Sequence, residues 1–457
     1  MRHPFKRPVD AALPDVVLPE PRVEPFVLGL LRMAGGAYLR LALGTERVDI
    51  RGGDRLARLF DAALRGQARL ILAFRHPYGD EAQLLSWAFT RGVEREARKA
   101  GVRLPRRPHA VFVHGYEVPR WGGPVVRWLL PRMGAMPVHH AKMDRLGMAR
   151  IAAAIESGPY PVALAPEGQV SYSSETVPRL EQGTARLGFQ AARALAAAGR
   201  PEPVLVLPLS VHRRYGPKAA RSLERLITHI EEAAGTVGGT VGGGSMGAGQ
   251  GARLAAARDA MLASAERFYG LPDGMAAGFG ADARVAAVVD AALSEGERML
   301  GLSRGSGDGI ERVYRIRQAG WDRVYLPDGA DPARLGPLDR SLADRRAGEA
   351  WYAMRHMELV DFAWYFRAEP PPDDAPFAAR VEYAQNLWDF GSRLRGGTIS
   401  DRIDVSPRRA VVVVGEPIDL SARLSAYEAD RKAAAADATG ALEAAYVRCM
   451  KEFHDER

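Results

Sequence analysis

One cysteine, Cys449, stands in 457 residues, which excludes an internal disulfide and any metal cluster held by three thiolates. Lysine is nearly as scarce: six of the 63 basic residues are lysines, and arginine carries the rest of the positive charge. No run of 18 or more apolar residues occurs, so no helix crossing a bilayer is expected. Met1 to Glu20 mixes charges and prolines where a secretion signal needs an unbroken apolar stretch, so none is expected there, and the expected compartment is the reducing cytoplasm. What is present is ordinary for a folded protein: 47% hydrophobic and 26% charged residues. The net charge of +8 permits attraction to phosphates, anionic lipid or an acidic carrier protein and does not choose among them. Two or three folding units are expected, because one core seldom grows beyond roughly 250 residues.

Residues 1–24 read as an irregular lead-in. From Pro25 to Leu43, Phe26, Val27, Leu30, Leu31, Ala34, Tyr38, Leu41 and Ala42 fall largely on one helical face interrupted by Arg32 and Arg40. Such a helix either packs on the core or lies on a lipid surface. Four apolar runs follow, Arg69 to Phe74, Ala110 to Val113, Tyr160 to Ala165 and Val204 to Leu209, alternating with helical patterns such as Asp144 to Glu156 and Gly183 to Ala198. Residues 25–216 are therefore expected to form an α/β domain, a largely parallel sheet flanked by helices, with its polar residues gathered after strand ends. Residues 217–406 change character, with helical patterns around a loop, 235–251, that has nine glycines in seventeen positions. Trp321, Trp351, Trp364, Tyr365 and Phe366 lie among arginines there and read as helix-packing anchors, not as a stacking platform for nucleic acid. A clean β-branched strand, Ala410 to Val414, opens residues 407–457 and returns the chain to α/β character, so 217–406 reads as a mostly helical insertion.

Chemistry concentrates after the strands. His76 stands directly after the first run, with Asp80 and Glu81 four and five residues on. Histidine accepts a proton near neutrality, and a carboxylate across the turn holds its tautomer and stabilises the imidazolium. Glu167 and Gly168 follow the third run. The adjacent pair His139 and His140, and His109 with His114, lack zinc-binding spacing, so no metal is expected.

In this order the motifs resemble the phospholipid/glycerol acyltransferase family. The family's histidine and, five places on, its aspartate fall on His76 and Glu81. Its second motif, an arginine preceded by an acid, resembles Met143, Asp144 and Arg145; its third resembles Val162 to Gly168, with Ser171 where serine is frequent; its fourth resembles Val206, Leu207, Pro208 and Leu209. Gly183, Ala185 and the segment Gly415 to Ile418 also fit. The resemblance covers residues 25–215 and 405–450. Two departures stand out: Glu81 is one methylene longer than aspartate, and Gln169 and Val170 replace a frequent threonine and arginine. What the resemblance implies is an acyltransferase-like fold in which His76 deprotonates a hydroxyl of glycerol 3-phosphate, lysophosphatidate or a related lipid and Glu81 or Asp80 orients it. The alkoxide then attacks the thioester of acyl-coenzyme A or an acyl carrier protein. No permanently bound cofactor is implied. Arg145 would hold the acceptor's phosphate, helped by Arg179, Arg213 or Arg214, while Glu167, Gly168 and Ser171 shape the acceptor site. The lipid acceptor places the enzyme at a membrane surface, peripherally on the inner face of the cell membrane. The rival reading is a catalytically silent scaffold that binds lipid or protein.

Overall fold

The computed structural model describes residues 9–16, 18–139, 144–236, 249–272, 280–326, 330–360, 366–398 and 401–455. Residues 1–8 of the lead-in, His140, Met143, most of the glycine-rich loop, Trp364 and Tyr365 lie outside them. The chain divides into two compact units, one of residues 1–17 and 216–406, the other of residues 18–215 and 407–457.

The second unit is a mixed α/β fold built on a largely parallel eight-stranded sheet flanked by helices. Its strands are β1 (Thr45–Arg51), β2 (Arg69–Phe74), β3 (Val111–Gly115), β4 (Met136–Val138), β5 (Val162–Leu164), β6 (Val204–Tyr215), β7 (Arg408–Val414) and β8 (Ile418–Asp419). They lie in the order β1-β7-β6-β2-β5-β3-β4, with β8 also on β6. Among the described strands, the pairings of β6 with β7 and with β8 are antiparallel and the rest parallel. β2 shows why an unbroken apolar run becomes a central strand: Leu70, Leu72 and Phe74 enter the core on one face, Ile71 and Ala73 the core on the other. Pro208 is tolerated inside β6 because it falls where β8 hands over to β7. Its carbonyl still accepts from Gly415, and no strand there requires the missing N–H.

Helices α1 (Pro25–Leu41), α2 (Gly53–Leu64), α3 (Glu81–Trp87) and α4 (Val93–Lys99) precede β3. A single π turn, Ala88–Gly92, joins α3 to α4. Between β3 and β4 lie the short α5 (Val118–Trp121) and α6 (Gly123–Arg132); α7 (Arg145–Ser157) and α8 (Gly183–Ala197) follow. α8 packs so closely that a Cβ on Gly188 would stand 2.3 Å from the Leu420 side chain. Phe60, Phe89 and Phe112 fill one core with Leu209 and Val412; Phe189, Ile151 and Tyr446 of the C-terminal helix Arg431–Asp455 fill the other. Full burial of each such ring or branched chain contributes about 1.5–3 kcal/mol. α1 buries Val27, Leu28 and Leu39 and leaves Phe26, Leu30, Met33, Tyr38 and Leu41 exposed.

The first unit is helical, with helices at Ala219–Ala234, Gln250–Phe268, Ala281–Met299, Gly309–Val324, Pro337–Val360 and Phe377–Leu394. Buried ion pairs link them, Arg284 to Glu266 at 2.8 Å and Arg312 to Glu297 at 3.0 Å. Part of the lead-in docks here: the Leu13 amide donates to the Val324 carbonyl and the Ala12 amide to Asp344. Trp351 is buried and Trp321 rings face Tyr325, as packing anchors do.

Candidate active site

The site grows from the end of β2. Phe74 is the last strand residue; Arg75 is wholly buried and His76 keeps about a fifth of its side chain in solvent. The chain turns through Pro77 to Asp80 and enters α3 at Glu81, whose carboxylate reaches back over the turn. Glu81 Oε2 lies 2.5 Å from His76 Nδ1 and accepts the Gly79 amide at 2.9 Å, while Oε1 accepts the Tyr78 amide at 2.8 Å. The extra methylene of glutamate lets one carboxylate hold the histidine and tie the turn together. Its side chain is fully buried. The electrostatics follow: burial disfavours the imidazolium, but the facing Glu81 charge and hydrogen bond, with Glu167 and Asp80 behind, outweigh it and raise the His76 pKa above the ordinary 6.5.

Asp80, the other carboxylate of the sequence motif, faces elsewhere. Arg213 from β6 donates to its Oδ1 at 2.7 Å and Arg408 from β7 to its Oδ2 at 2.8 Å. Both arginines are buried, and the Arg213 guanidinium lies 3.8 Å from the centre of the Tyr78 ring. Asp80 thus anchors the start of α3 to two strands, and Glu81 is the carboxylate on His76.

Glu167, after β5, has a fully buried side chain and meets Arg75, whose Nε donates to its Oε1 at 3.0 Å. The same guanidinium donates to the carbonyls of Ser174 at 3.0 Å, Ser173 at 2.8 Å and Thr176 at 2.7 Å. The loop after Gly168 is therefore wound round Arg75. It joins the histidine directly, because the Ser171 amide donates to the His76 carbonyl at 2.9 Å. Ser171 is itself buried, its hydroxyl turned to the Ser173 carbonyl. Gly168 has φ +73°, a left-handed turn that closes on the Ala165 carbonyl and that a side chain would strain. Tyr172 adopts φ +50° within the Arg75-bound loop.

Arg145 is the first residue of α7 and is exposed; the structure gives it no contact with the His76 and Glu81 pair or with Glu167. Its preceding acid, Asp144, caps α7 by accepting the Gly147 amide at 2.8 Å. Sequence reasoning missed Arg75 and Arg408. The available signal for Arg75 was a charge continuing a buried strand, a position that requires a partner. Cys449 is buried in the C-terminal helix, and burial pushes its thiol up to about 11, which suits packing and not nucleophilic attack. Among the described residues, no three or more His, Cys, Asp or Glu side chains gather as metal ligands would, and no helix is long and apolar enough to cross a membrane.

The arrangement is a histidine held by a buried carboxylate at the C-terminal end of a central strand, where the loop after β5 also arrives. Comparisons of the chain with protein-family models, with curated proteins and with solved structures give no match.

Proposed function

We propose that the chain is an O-acyltransferase of the phospholipid/glycerol acyltransferase kind, with His76 as its general base. The observation that carries this reading is the 2.5 Å contact between His76 Nδ1 and the buried Glu81 carboxylate, set at the end of a central parallel strand. Glu81 holds the proton on Nδ1 and leaves Nε2 to take one from the acceptor hydroxyl. The resulting alkoxide attacks the carbonyl carbon of an acyl-coenzyme A or acyl carrier protein thioester; an oxygen–carbon bond forms, the carbon–sulfur bond breaks, and the proton on Nε2 passes to the departing thiolate. No enzyme nucleophile is used, in keeping with the buried, high-pKa Cys449. In this reading Asp80 is an anchor for α3, and Glu167 acts through Arg75 to set the loop beside His76, so both are positioning residues. Arg145 is an exposed cation available to an anionic acceptor.

The test is transfer from labelled palmitoyl-coenzyme A and palmitoyl carrier protein to a panel of glycerol 3-phosphate, lysophosphatidate and other lysolipids. Ester formed by the wild type and not by His76→Ala supports the reading and identifies the acceptor. Folded protein that transfers to none of them favours the silent scaffold.

A further inference from the structure

The C-terminal helix, Arg431–Asp455, carries a hydroxyl in a place where packing alone asks for none. Tyr446 is wholly buried in the core that holds Leu164 and Phe189, and its hydroxyl has no hydrogen-bond partner among the described residues. A hydroxyl taken out of water without a partner is costly, so a tyrosine there needs a reason that a phenylalanine would not. The helix face that bears it meets the Arg75 post: Met450, one turn on, brings its Sδ to 3.1 Å from Arg75 Nη1. The same guanidinium holds Glu167, whose buried Oε2 likewise lacks a partner among the described residues. Tyr446 feels that carboxylate: after burial, the Glu167 charge is the leading influence that raises its pKa well above the ordinary 10. The hydroxyl therefore stays protonated, and what it offers a carboxylate is a proton to share. The helix is fixed to the loop and the sheet as well. His454 Nε2 lies 3.0 Å from Glu175 Oε2, within the segment whose carbonyls hold Arg75, and the Phe453 ring stacks on His212 of β6 at 4.4 Å.

We propose that Tyr446 is a positioning residue of the site: its hydroxyl donates through one bridging water to Glu167 Oε2 and completes the post on which the loop beside His76 is wound. A buried donor and a buried acceptor in one neighbourhood, each without another partner among the described residues, are what a single water satisfies. A line of contacts then runs from the C-terminal helix to the histidine. Tyr446 reaches Glu167, Glu167 meets Arg75 at 3.0 Å, Arg75 gathers the Ser173, Ser174 and Thr176 carbonyls, and the Ser171 amide donates to the His76 carbonyl at 2.9 Å. With Oε2 satisfied, Glu167 presents Oε1 to Arg75 in one orientation. Without it the carboxylate can turn, and the guanidinium and loop turn with it. That this line serves acyl transfer rests on the reading of His76 as general base; the line itself does not.

The experiment is hydrogen exchange of the full chain, read by mass spectrometry, together with acyl-transfer kinetics, on wild type, Tyr446→Phe, Glu167→Gln and Tyr446→Phe/Glu167→Gln. The expected result for Tyr446→Phe is exchange about fivefold faster in peptides covering residues 169–176, with peptides of the β6 core, 204–209, unchanged. Turnover, read as kcat, falls about tenfold while KM stays within about twofold, because the acceptor site keeps its shape and the base loses its setting. Glu167→Gln shows the same local rise, and the double variant exceeds the larger single effect by less than about twofold, since the two residues act as one unit. The Cζ nuclear magnetic resonance signal of Tyr446, identified by its loss in Tyr446→Phe, moves in Glu167→Gln, which a packing role would not produce. Unchanged exchange at 169–176 in Tyr446→Phe, an equal rise at 204–209, effects that multiply in the double variant, or a Tyr446 signal indifferent to Glu167→Gln overturns the inference. Absence of acyl transfer from every protein counts against the general-base reading alone, and the exchange and resonance arms still decide the line from Tyr446 to the loop.

Discussion

Arg75→Met removes the post on which the loop after β5 is wound, and its cost follows from what is left behind. Glu167 keeps a fully buried carboxylate whose Oε2 has no hydrogen-bond partner among the described residues and whose Oε1 loses the Arg75 Nε. The carbonyls of Ser173, Ser174 and Thr176 lose their donor at the same time. Stranding one member of a buried ion pair costs about 3–5 kcal/mol, and three deprived carbonyls, each worth on the order of 1 kcal/mol, place the variant at the upper end. Arg75→Met/Glu167→Gln removes the stranded charge and is expected to regain about 2 kcal/mol, although the carbonyls remain deprived. Urea unfolding followed by circular dichroism measures both. Turnover falls in the single variant, since the Ser171 amide no longer fixes the His76 carbonyl. A single variant within about 1 kcal/mol of wild type, or a double variant no more stable than the single, would refute the reasoning.

Further outcomes follow from the same geometry. A raised His76 pKa means the base form is gained as pH rises, so kcat/KM climbs on a limb displaced upward from that of a free imidazole; Glu81→Gln removes the leading upward influence while burial remains, so a pH–rate profile should show the limb moving to lower pH with turnover reduced about 10²-fold or more. Asp80→Asn leaves the Glu81 contact in place and loosens α3 from Arg213 and Arg408, so the melting temperature drops while the pH–rate limb moves less than in Glu81→Gln. Burial holds His109 down to about 4, so its neutral form is worth about 3 kcal/mol that is present above pH 6.5 and lost as pH falls toward 4; melting scans of His109→Gln, which keeps a donor for the Met133 carbonyl, should show a shallower acid loss than wild type. Gly168→Ala strains a left-handed turn by about 1–2 kcal/mol, to be read as a lowered urea midpoint.

Local features were legible and remote ones were not. β2, β5, β6 and β7 announce themselves as short apolar runs, and α7 and α8 as periodic segments, because burial on both sheet faces and on one helix face fixes residue type along a few neighbouring positions. β1 was missed: Thr45 to Arg51 carries Glu46, Arg47, Asp49 and Arg51 on an edge strand whose partner among the described residues, β7, lies more than 350 positions away. β4 and β8 have three and two residues, too few to carry a pattern. At the site, the spacing of His76 and Glu81 could be read because the turn between them is local. Which of Asp80 and Glu81 meets the histidine could not, because Asp80 is claimed by Arg213 and Arg408, 133 and 328 positions away. Arg75 went unread for the same reason: its partner Glu167 arrives from the far end of β5.

The most direct test of the central claim is the initial rate of acyl transfer from a labelled long-chain thioester by wild type and His76→Ala, under identical lipid conditions with folding checked by circular dichroism. A base held by a buried carboxylate supplies about 10²–10⁴ in rate, so the alanine variant should lose at least a hundredfold while keeping its melting temperature. Equal rates from the two proteins would contradict the account.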